Sequence, residues 1–426
     1  MKIKDIGRVV TGKTPSTKDM YNFKGTINFI TPEDIAKGYI VKTTNRHISE
    51  KGYDSIKSNT LDGVSVLVGC IGSDMGNVAI SKGKCASNQQ INAITDITDI
   101  WNPFYIYYYL SKQKQYFRQI AGTTTTPILP KSVFEDIDIP YIRKDLQDKI
   151  TNILKALDSK IEINNKINGE LESMAKTIYD YWFLQFDFPD ENGKPYKSSG
   201  GKMVWNEELK REIPAGWKVG TLSKFIAKDK GGDWGKEVEE GNYVKRVVCL
   251  RGADFPSITG ATPLTAPTRY ILEKNKSKVL ESGDLIIEIS GGSPTQSTGR
   301  ICYINNNLLE RFDTDIVTSN FCKAISLNDS NFMYWFYVQW LKIYDNNVLF
   351  KYEGKTTGIK NLLFDMFIND YKIAVPSNEL IKRYNEIVYV MYEEIQKNQK
   401  QSQELASLRD FLLPLLMNGQ VGFKEQ

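Results

Sequence analysis

The stretch Leu146-Gln-Asp-Lys-Ile150-Thr-Asn-Ile153-Leu-Lys-Ala-Leu157-Asp-Ser-Lys160-Ile-Glu-Ile-Asn164-Asn-Lys-Ile167-Asn-Gly-Glu-Leu171-Glu-Ser-Met174-Ala-Lys-Thr-Ile178-Tyr-Asp-Tyr181 decides the organisation of this chain. Alternating steps of four and three residues from Leu146 reach Ile150, Ile153, Leu157, Lys160, Asn164, Ile167, Leu171, Met174, Ile178 and Tyr181. All are apolar except Lys160 and Asn164, neighbours at the middle. That is a heptad seam, and it predicts a long helix paired with another along most of its length. The same steps 234 residues later give Leu380, Tyr384, Ile387, Met391, Glu394, Asn398, Gln401, Leu405, Leu408, Leu412 and Leu415, with the polar interruption again at the middle. Each helix would be roughly 50 Å long at about 1.5 Å per residue. Two matched helices half a chain apart imply a tandem repeat with one helix per unit.

Outward from the first helix, residues 1–142 alternate short apolar runs with turn signals. Ile27–Ile30, Val64–Val68, Asn77–Ile80 and Ile91–Ile94 read as strands. Asn102-Pro103 opens an aromatic-rich helix to Phe117, with asparagine as cap and proline at the first position. A polar loop, Gly122-Thr-Thr-Thr-Thr-Pro127, and a closing strand near Ile137–Ile142 follow, then the first spacer helix over 143–186. Residues 187–217 are dense in turn formers and read as a connector. A second globular unit covers 218–377, with a strand at Asp284–Ile289 and an aromatic helix at Asn331–Tyr344. The second spacer helix spans 378–419, capped at Asn418-Gly419, and 420–426 is a tail. The class is α+β: two tandem globular domains separated by two long helices packed as an antiparallel coiled coil. In such a pair the seam midpoints meet, bringing Asn164 near Asn398 and fixing the register.

The repeat extends beyond the helices. Gly122-Thr-Thr-Thr125 is echoed by Gly354-Lys-Thr-Thr357, Ser87-Asn88 by Ser319-Asn320, and Ile139-Pro140 by Val375-Pro376. Elsewhere the two globular halves barely resemble one another. A repeated frame with different contents suits two units doing one kind of job on different targets.

The composition is that of an ordinary globular protein: 41% hydrophobic, 25% charged, formal net charge +4. That charge permits nucleic-acid binding without arguing for it, so any positive patch must come from local clustering. No apolar run is long enough for a membrane span, and no signal-peptide core follows Met1. Five cysteines without metal-like spacing read as reduced, buried thiols, and the expected location is the cytoplasm.

The apparent catalytic motifs have simpler readings. His47 is the only histidine and sits in a polar stretch. Gly7-Arg-Val-Val-Thr-Gly12-Lys13-Thr14 matches the phosphate-loop pattern, which requires a buried strand before it and a helix after it; neither is in place. Asn102-Pro103-Phe-Tyr105 resembles a base-gripping methyltransferase motif but lacks the second proline and opens a helix. Asp284 and Glu288 could suggest a nuclease, yet the following lysine is missing, so a strand with one solvated acidic position is the simpler reading. No catalytic or metal constellation remains.

Loop chemistry does remain. Asn and Gln pair bidentately with adenine, Arg and Lys with guanine, and Ser or Thr bond phosphates and either base. The DNA-binding candidates in the first unit are Ser16, Thr17, Lys18, Ser73, Asn77, Asn88, Gln89, Gln90, Thr123, Thr124, Thr125 and Lys131. In the second they are Lys230, Lys236, Ser293, Thr295, Gln296, Arg300, Ser319, Asn320, Lys355, Thr356, Thr357 and Lys360.

Tyr181-Trp-Phe-Leu-Gln-Phe-Asp-Phe-Pro-Asp-Glu-Asn-Gly-Lys-Pro-Tyr-Lys-Ser-Ser-Gly-Gly-Lys-Met-Val-Trp205, continuing to Ile213-Pro-Ala-Gly-Trp217, resembles the central region of the specificity subunits of type I restriction-modification systems. The Gly-x-Thr-Thr loops and the tail Ser407-Leu-Arg-Asp-Phe-Leu-Leu-Pro-Leu-Leu-Met-Asn-Gly419 are similar to that family too. The resemblance covers essentially the whole chain. It implies a non-catalytic reader of double-stranded DNA, each globular unit recognising half of a bipartite target and the helix pair setting the gap. It also implies DNA methyltransferase and restriction/translocase subunits as partners, with S-adenosylmethionine, ATP and magnesium belonging to them. The competing reading is a coiled-coil protein-interaction scaffold that never touches DNA. An enzyme comes third, since it needs one of the discounted motifs to be real.

Overall fold

The computed structural model describes all residues except 123–126, 259–264, 294, 357 and 423–426, and the side chains of Lys355 and Thr356 also lie outside the description. The fold is α+β and divides into two compact units, 1–160 with 405–426, and 161–404. Both divisions fall inside a long helix, Lys144–Tyr179 and Asn378–Met417. Among the described residues no helix is long and apolar enough to cross a membrane.

The first unit contains β1 (Arg8–Thr11), β2 (Ile27–Ile30), β3 (Arg46–Ile48), β4 (Thr60–Leu61), β5 (Val64–Gly69), β6 (Val78–Lys82), β7 (Cys85–Ser87) and β8 (Ile91–Thr95). They make two four-stranded sheets, β1-β8-β5-β6 and β3-β2-β7-β4, with β2 and β7 parallel. Side chains alternate across a strand, and β5 is buried on both faces. Val66 and Val68 pack with Trp101, Tyr105 and Ile106, whereas Leu67 packs with Val10, Ile30 and Cys85. This is why Val66, Leu67 and Val68 are apolar in succession rather than alternating. Asn102 caps the aromatic helix Pro103–Ser111, its carboxamide oxygen accepting from the Phe104 amide at 2.9 Å, with Pro103 in the first turn. A second helix, Lys114–Ile120, completes that segment.

The closing strand expected near Ile137–Ile142 does not form. A single bridge joins Lys2 to Asp138, flanked by hydrogen bonds from the Ile3 amide to Ile137 and from the Ile139 amide to Met1. Pro140 has no N–H to continue a ladder. His47 lies in β3, and the phosphate-loop look-alike runs straight through β1. All five cysteines are free and buried.

In the second unit, β9 (Met203–Asn206) and β10 (Arg211–Pro214) form a hairpin within the turn-rich segment. The Asp187 carboxylate ties that segment together, accepting from the Ser198 amide and hydroxyl at 2.7 Å each. Phe188 stacks on Tyr196 and on Trp217, with centroids 4.7 and 5.7 Å away. Its glycines and prolines therefore serve a folded aromatic layer.

The remaining strands are β11 (Lys218–Thr221), β12 (Ile226–Gly231), β13 (Tyr243–Leu250), β14 (Thr268–Leu272), β15 (Asp284–Glu288), β16 (Ser290–Gly291), β17 (Ile301–Tyr303), β18 (Ile316–Thr318), β19 (Cys322–Leu327), β20 (Glu353–Thr356), β21 (Ile359–Leu362) and β22 (Lys372–Val375). They rebuild the first unit's frame: sheet β12-β19-β15-β17 corresponds to β1-β8-β5-β6, and β14-β13-β18 to β3-β2-β7, with β13 and β18 parallel. The central strand again faces two cores, Leu285 and Ile287 to one side and Ile286 to the other. An aromatic helix, Met333–Asp345, follows the last frame strand as in the first unit. Unlike its counterpart, this unit closes with a true strand, β22 pairing with β11.

The long helices are antiparallel. In the first unit the Arg409 guanidinium donates to the buried Asp158 carboxylate at 2.7 Å, and the Tyr108 hydroxyl donates to its other oxygen. In the second, the Asn164 carboxamide donates to the Asn398 carbonyl (3.3 Å), Gln401 (2.9 Å) and Ser402 (3.2 Å), and Asn398 donates to Asn168 at 2.9 Å. Asn164 and Asn398 thus meet, though through a backbone carbonyl, and their side chains bond residues one turn apart. The second helix ends as a Schellman motif: Gly419 has φ +67°, and the Gly419 and Gln420 amides donate to Leu416 and Leu415.

The seam itself is displaced. Ile150, Asn164 and Tyr384 are buried, and Leu157, Leu171, Ile178, Met391, Asn398, Leu405 and Leu412 half-buried, but Ile153, Ile167, Met174, Ile387 and Leu408 are exposed. In both helices the buried line runs one residue later: Gln147, Thr151, Leu154, Asp158, Asn168, Ala175 and Tyr179, then Ile381, Asn385, Val388, Tyr392, Ile395, Gln399, Ser402, Leu413 and Leu416. Hydrogen-bonded polar residues occupy part of that line, so counting apolar residues selects the row beside it.

Candidate nucleic-acid interface

The frame brings the loops at one end of each unit together. In the first unit the loop after β1 touches the β7–β8 turn, where the Thr14 hydroxyl donates to Gln89 at 3.0 Å. The β5–β6 loop joins that turn through the Cys70 amide, which donates to the Gln90 carbonyl at 2.8 Å. Residues on the far side of the threonine loop join the same group, with the Gly72 amide donating to Pro127 and the Leu129 amide to Cys70. The second unit repeats this gathering. The Asp233 amide donates to Thr318, the Ile289 amide to Phe321 and the Leu362 amide to Ile289, each at 2.8 Å. There Gly354, Lys355 and Thr356 lie in β20 of the β20–β21 hairpin, which is clamped to the β15–β17 loop by a Ser290–Asn361 side-chain bond at 2.6 Å.

One glycine in each unit permits this closure. Gly12 follows β1 and lies against the Ser87–Asn88 backbone; Gly232 follows β12 and lies against the Thr318–Ser319 backbone. A Cβ on either would collide with those carbonyls, so the glycine of the phosphate-loop look-alike is a packing glycine.

The candidate residues divide by what they touch. Ser16, Thr17, Lys18, Ser73 and Gln89 are exposed in the first unit's cluster, and Lys131 is exposed beside Glu135. Asn88 and Gln90 bond each other across their turn, and Asn77 accepts from Lys114 at 2.8 Å. In the second unit Thr295, Gln296 and Asn320 are exposed and Ser293 is half-buried. Lys236 is half-exposed near Glu240, and Lys360 pairs with Glu353 at 3.1 Å while also reaching the Gln296 carbonyl. Ser319 is buried in its turn. Lys230 is turned inward, donating to Asp284 (2.9 Å) and the Val279 carbonyl (3.1 Å). Thr123, Thr124, Thr125 and Thr357, with the side chains of Lys355 and Thr356, lie outside the described residues.

The acids of β15 are not solvated, contrary to the sequence reading. Asp284 and Glu288 are both buried, on the strand face that carries Ile286. Buried carboxylates require partners. Asp284 has Lys230, and Glu288 has Arg300, whose Nε and Nη2 donate to it at 2.8 and 2.5 Å. The bonds to Glu288 raise the Arg300 pKa above its ordinary value, keeping the guanidinium charged. A second arginine–carboxylate fork stands beside it, Arg251 donating through Nε and Nη2 to Asp254 at 2.9 Å each. Burial alone would push the Asp254 carboxyl up, but the bonds from the Arg251 side chain and backbone bring it below the ordinary range. Arg251, Glu288 and Arg300 line a cleft of about 450 Å³ with Trp234, Asn320 and Phe321 at its rim. Sequence reading missed Arg251, Trp234 and Phe321. The signal for Phe321 was its place directly after the repeated Ser-Asn.

Residues 1–173 match the family model described as "Type I restriction modification DNA specificity domain". Among curated proteins, the type I restriction enzyme MjaIX specificity subunit of Methanocaldococcus jannaschii is 27% identical over all of this chain and 93% of its own length. The HindI specificity subunit of Haemophilus influenzae is 21% identical over 72% of this chain and 74% of its own. Among solved structures, the S subunit of a type I restriction-modification system from M. genitalium shares the fold, with TM-score 0.56 and 16% identity, covering 100% of this chain and 96% of that one. The resemblance to type I specificity subunits therefore runs from end to end.

Proposed function

We propose that this chain, similar along its whole length to type I specificity subunits, is the non-catalytic DNA-reading subunit of a type I restriction-modification complex. The supporting observation is that two units of nearly unrelated sequence share one two-sheet frame, which gathers polar and basic loops at the same end of each. A conserved frame with divergent loops suits two readers of different sequences. Each unit reads one half of a bipartite target, and the long helices act as a spacer. Their lengths of 36 and 40 residues correspond to about 54 and 60 Å at 1.5 Å per residue, more than one duplex turn of about 34 Å.

DNA methyltransferase subunits and a restriction/translocase subunit dock on this chain. Exposed apolar residues along the long helices, among them Ile163, Met174 and Val390, support such partners. S-adenosylmethionine, ATP and magnesium belong to those subunits. A net charge of +4 gives the isolated chain modest phosphate attraction, so the partners supply much of the neutralisation.

The deciding experiment is a binding selection from random-sequence duplex DNA, using the tagged chain purified with its native partners. Two short motifs around a fixed unspecified gap are expected. A single continuous motif would restrict reading to one unit, and no enrichment with methyltransferase present would turn the assignment to a protein scaffold. Inserting four residues beside Asn164 should change or abolish the preferred gap while leaving both half-site sequences intact; an unchanged gap in a methylation map rejects the spacer role.

A further inference from the structure

The cleft of the second unit is shaped for something other than the edges of stacked bases. Those edges lie at the floor of a major groove about 8.5 Å deep, so reading them requires side chains that project from the protein. A recess of about 450 Å³ instead falls in the size range that encloses small ligands. Its rim carries Phe321 at 54% and Trp234 at 37% exposure, an unusual amount of aromatic surface left in water. The Arg269 guanidinium sits 4.1 Å from the Trp234 ring centroid, bracing that ring.

The floor is a planar fork of opposite charges. Glu288, only 6% exposed, is bound by Nε and Nη2 of Arg300, and Nη1 of Arg300 makes no hydrogen bond among the described residues. The carboxylate keeps unused lone pairs as well, so donor and acceptor stand side by side. Gly252 keeps the space open: a Cβ there would come within 2.5 Å of Glu288 Oε1 and 3.0 Å of Arg300 Nη2. Because Arg300 is paired with Glu288 and Arg251 with Asp254, the charges cancel, which disfavours a phosphate and suits a neutral heterocycle. Aromatic side chains for its face and a donor–acceptor fork for its edge are the parts that hold an extruded base.

Resting on the DNA-reading proposal, we propose that this cleft receives a single nucleobase swung out of the second half-site. Guanine fits best, its O6 and N7 facing Arg300 and its ring N–H and amino group facing Glu288. Among the described residues the first unit lacks this device. By ladder register Gly69, opposite Ile91, occupies the place that Glu288 takes opposite Cys322.

The test uses the full chain with its native partners and the duplex obtained by selection. Each position of the second half-site is placed in turn opposite an abasic nucleotide. For a base read within the stack, losing its partner weakens binding; for an extruded base it removes the unpairing cost, and one position should bind about tenfold tighter. That gain should vanish in Phe321→Ala, whose side chain is exposed, and in Arg300→Gln. A gain that survives both substitutions belongs to a partner subunit and overturns the inference, as does a series with no gain. Titrating the full chain with deoxyguanosine monophosphate separates the two sources of the base. Binding of that nucleotide, lost in Phe321→Ala, beside a flat abasic series would mean that the cleft holds a free nucleotide. A selection without any motif would reject the DNA-reading proposal, and the nucleotide titration would then decide the cleft alone.

Discussion

The two units are one fold carrying different ends. Both stack a sheet of order β1-β8-β5-β6, or its counterpart, on a second sheet containing one parallel pair, and both seat an aromatic helix on the outer face. At the reading end they part company. β5 finishes with Gly69, pressed so close to the Asp74 carbonyl that a Cβ would approach to 2.7 Å, whereas β15 finishes with the buried Glu288–Arg300 fork. The frame is held by backbone ladders and apolar faces, which tolerate many sequences. The ends are held by particular side-chain pairs, which do not. The frame can therefore be rebuilt from a nearly unrelated sequence, while each end depends on its own particular residues.

The sharpest way to break this comparison concerns the helices both units share. If the buried line lies one residue past the apolar seam in each, Leu154→Ala should cost about 2–5 kcal/mol while Ile153→Ala stays within about 0.5 kcal/mol. Ile395→Ala against Ile387→Ala should show the same contrast in the second unit. Urea denaturation of the full chain measures both pairs; equal losses within a pair would restore the original seam.

A somewhat smaller effect is expected at the fork present in only one unit. Glu288→Ala leaves a half-buried guanidinium unpaired, and breaking such a pair costs about 3 kcal/mol. The same variant should lose selection at the second half-site while the first half-site motif persists. Loss of both motifs would mean that the two ends do not act separately. Next come the glycines that let the loops close. Gly12→Ala and Gly232→Ala should each destabilise by about 1–3 kcal/mol through collision with equivalent turns. Similar thermal shifts would support a common frame, and a shift in one unit alone would count against it.

Much of this was legible in the sequence for physical reasons. β5 and β15 stand out because they are buried on both faces, and Asn102-Pro103 because capping is local chemistry. The echoes at Ser87-Asn88 and Ser319-Asn320 mark equivalent β7–β8 and β18–β19 turns. What stayed hidden depends on partners distant in sequence. Nothing beside Asp284 or Glu288 announces Lys230 or Arg300, so two buried ion pairs read as one solvated strand edge. Nothing beside Gly12 announces the turn it packs against, so rejecting the nucleotide motif left the glycine without a role. The seam was misplaced by one residue because Gln147, Asp158, Asn168, Gln399 and Ser402 are buried through hydrogen bonds, which hydrophobic periodicity does not register.

The smallest effect on stability is expected at the polar centre of the helix pair. Asn164 donates from its carboxamide nitrogen, but its oxygen is buried without a hydrogen-bond partner among the described residues. Replacing it by leucine removes that desolvation penalty together with the donor bonds, so Asn164→Leu should change stability by less than about 1 kcal/mol. Asn168 is satisfied on both sides, accepting from Asn398 and donating to the Ile395 carbonyl, and Asn168→Leu should cost about 1–3 kcal/mol by stranding the Asn398 amide. A buried polar residue at a helix interface fixes register at some expense of stability. Asn164→Leu should therefore leave the denaturation midpoint almost unchanged while widening the range of gaps tolerated in the DNA selection. An unaltered single gap would mean that register is held elsewhere, with the Asp158–Arg409 pair the next place to look.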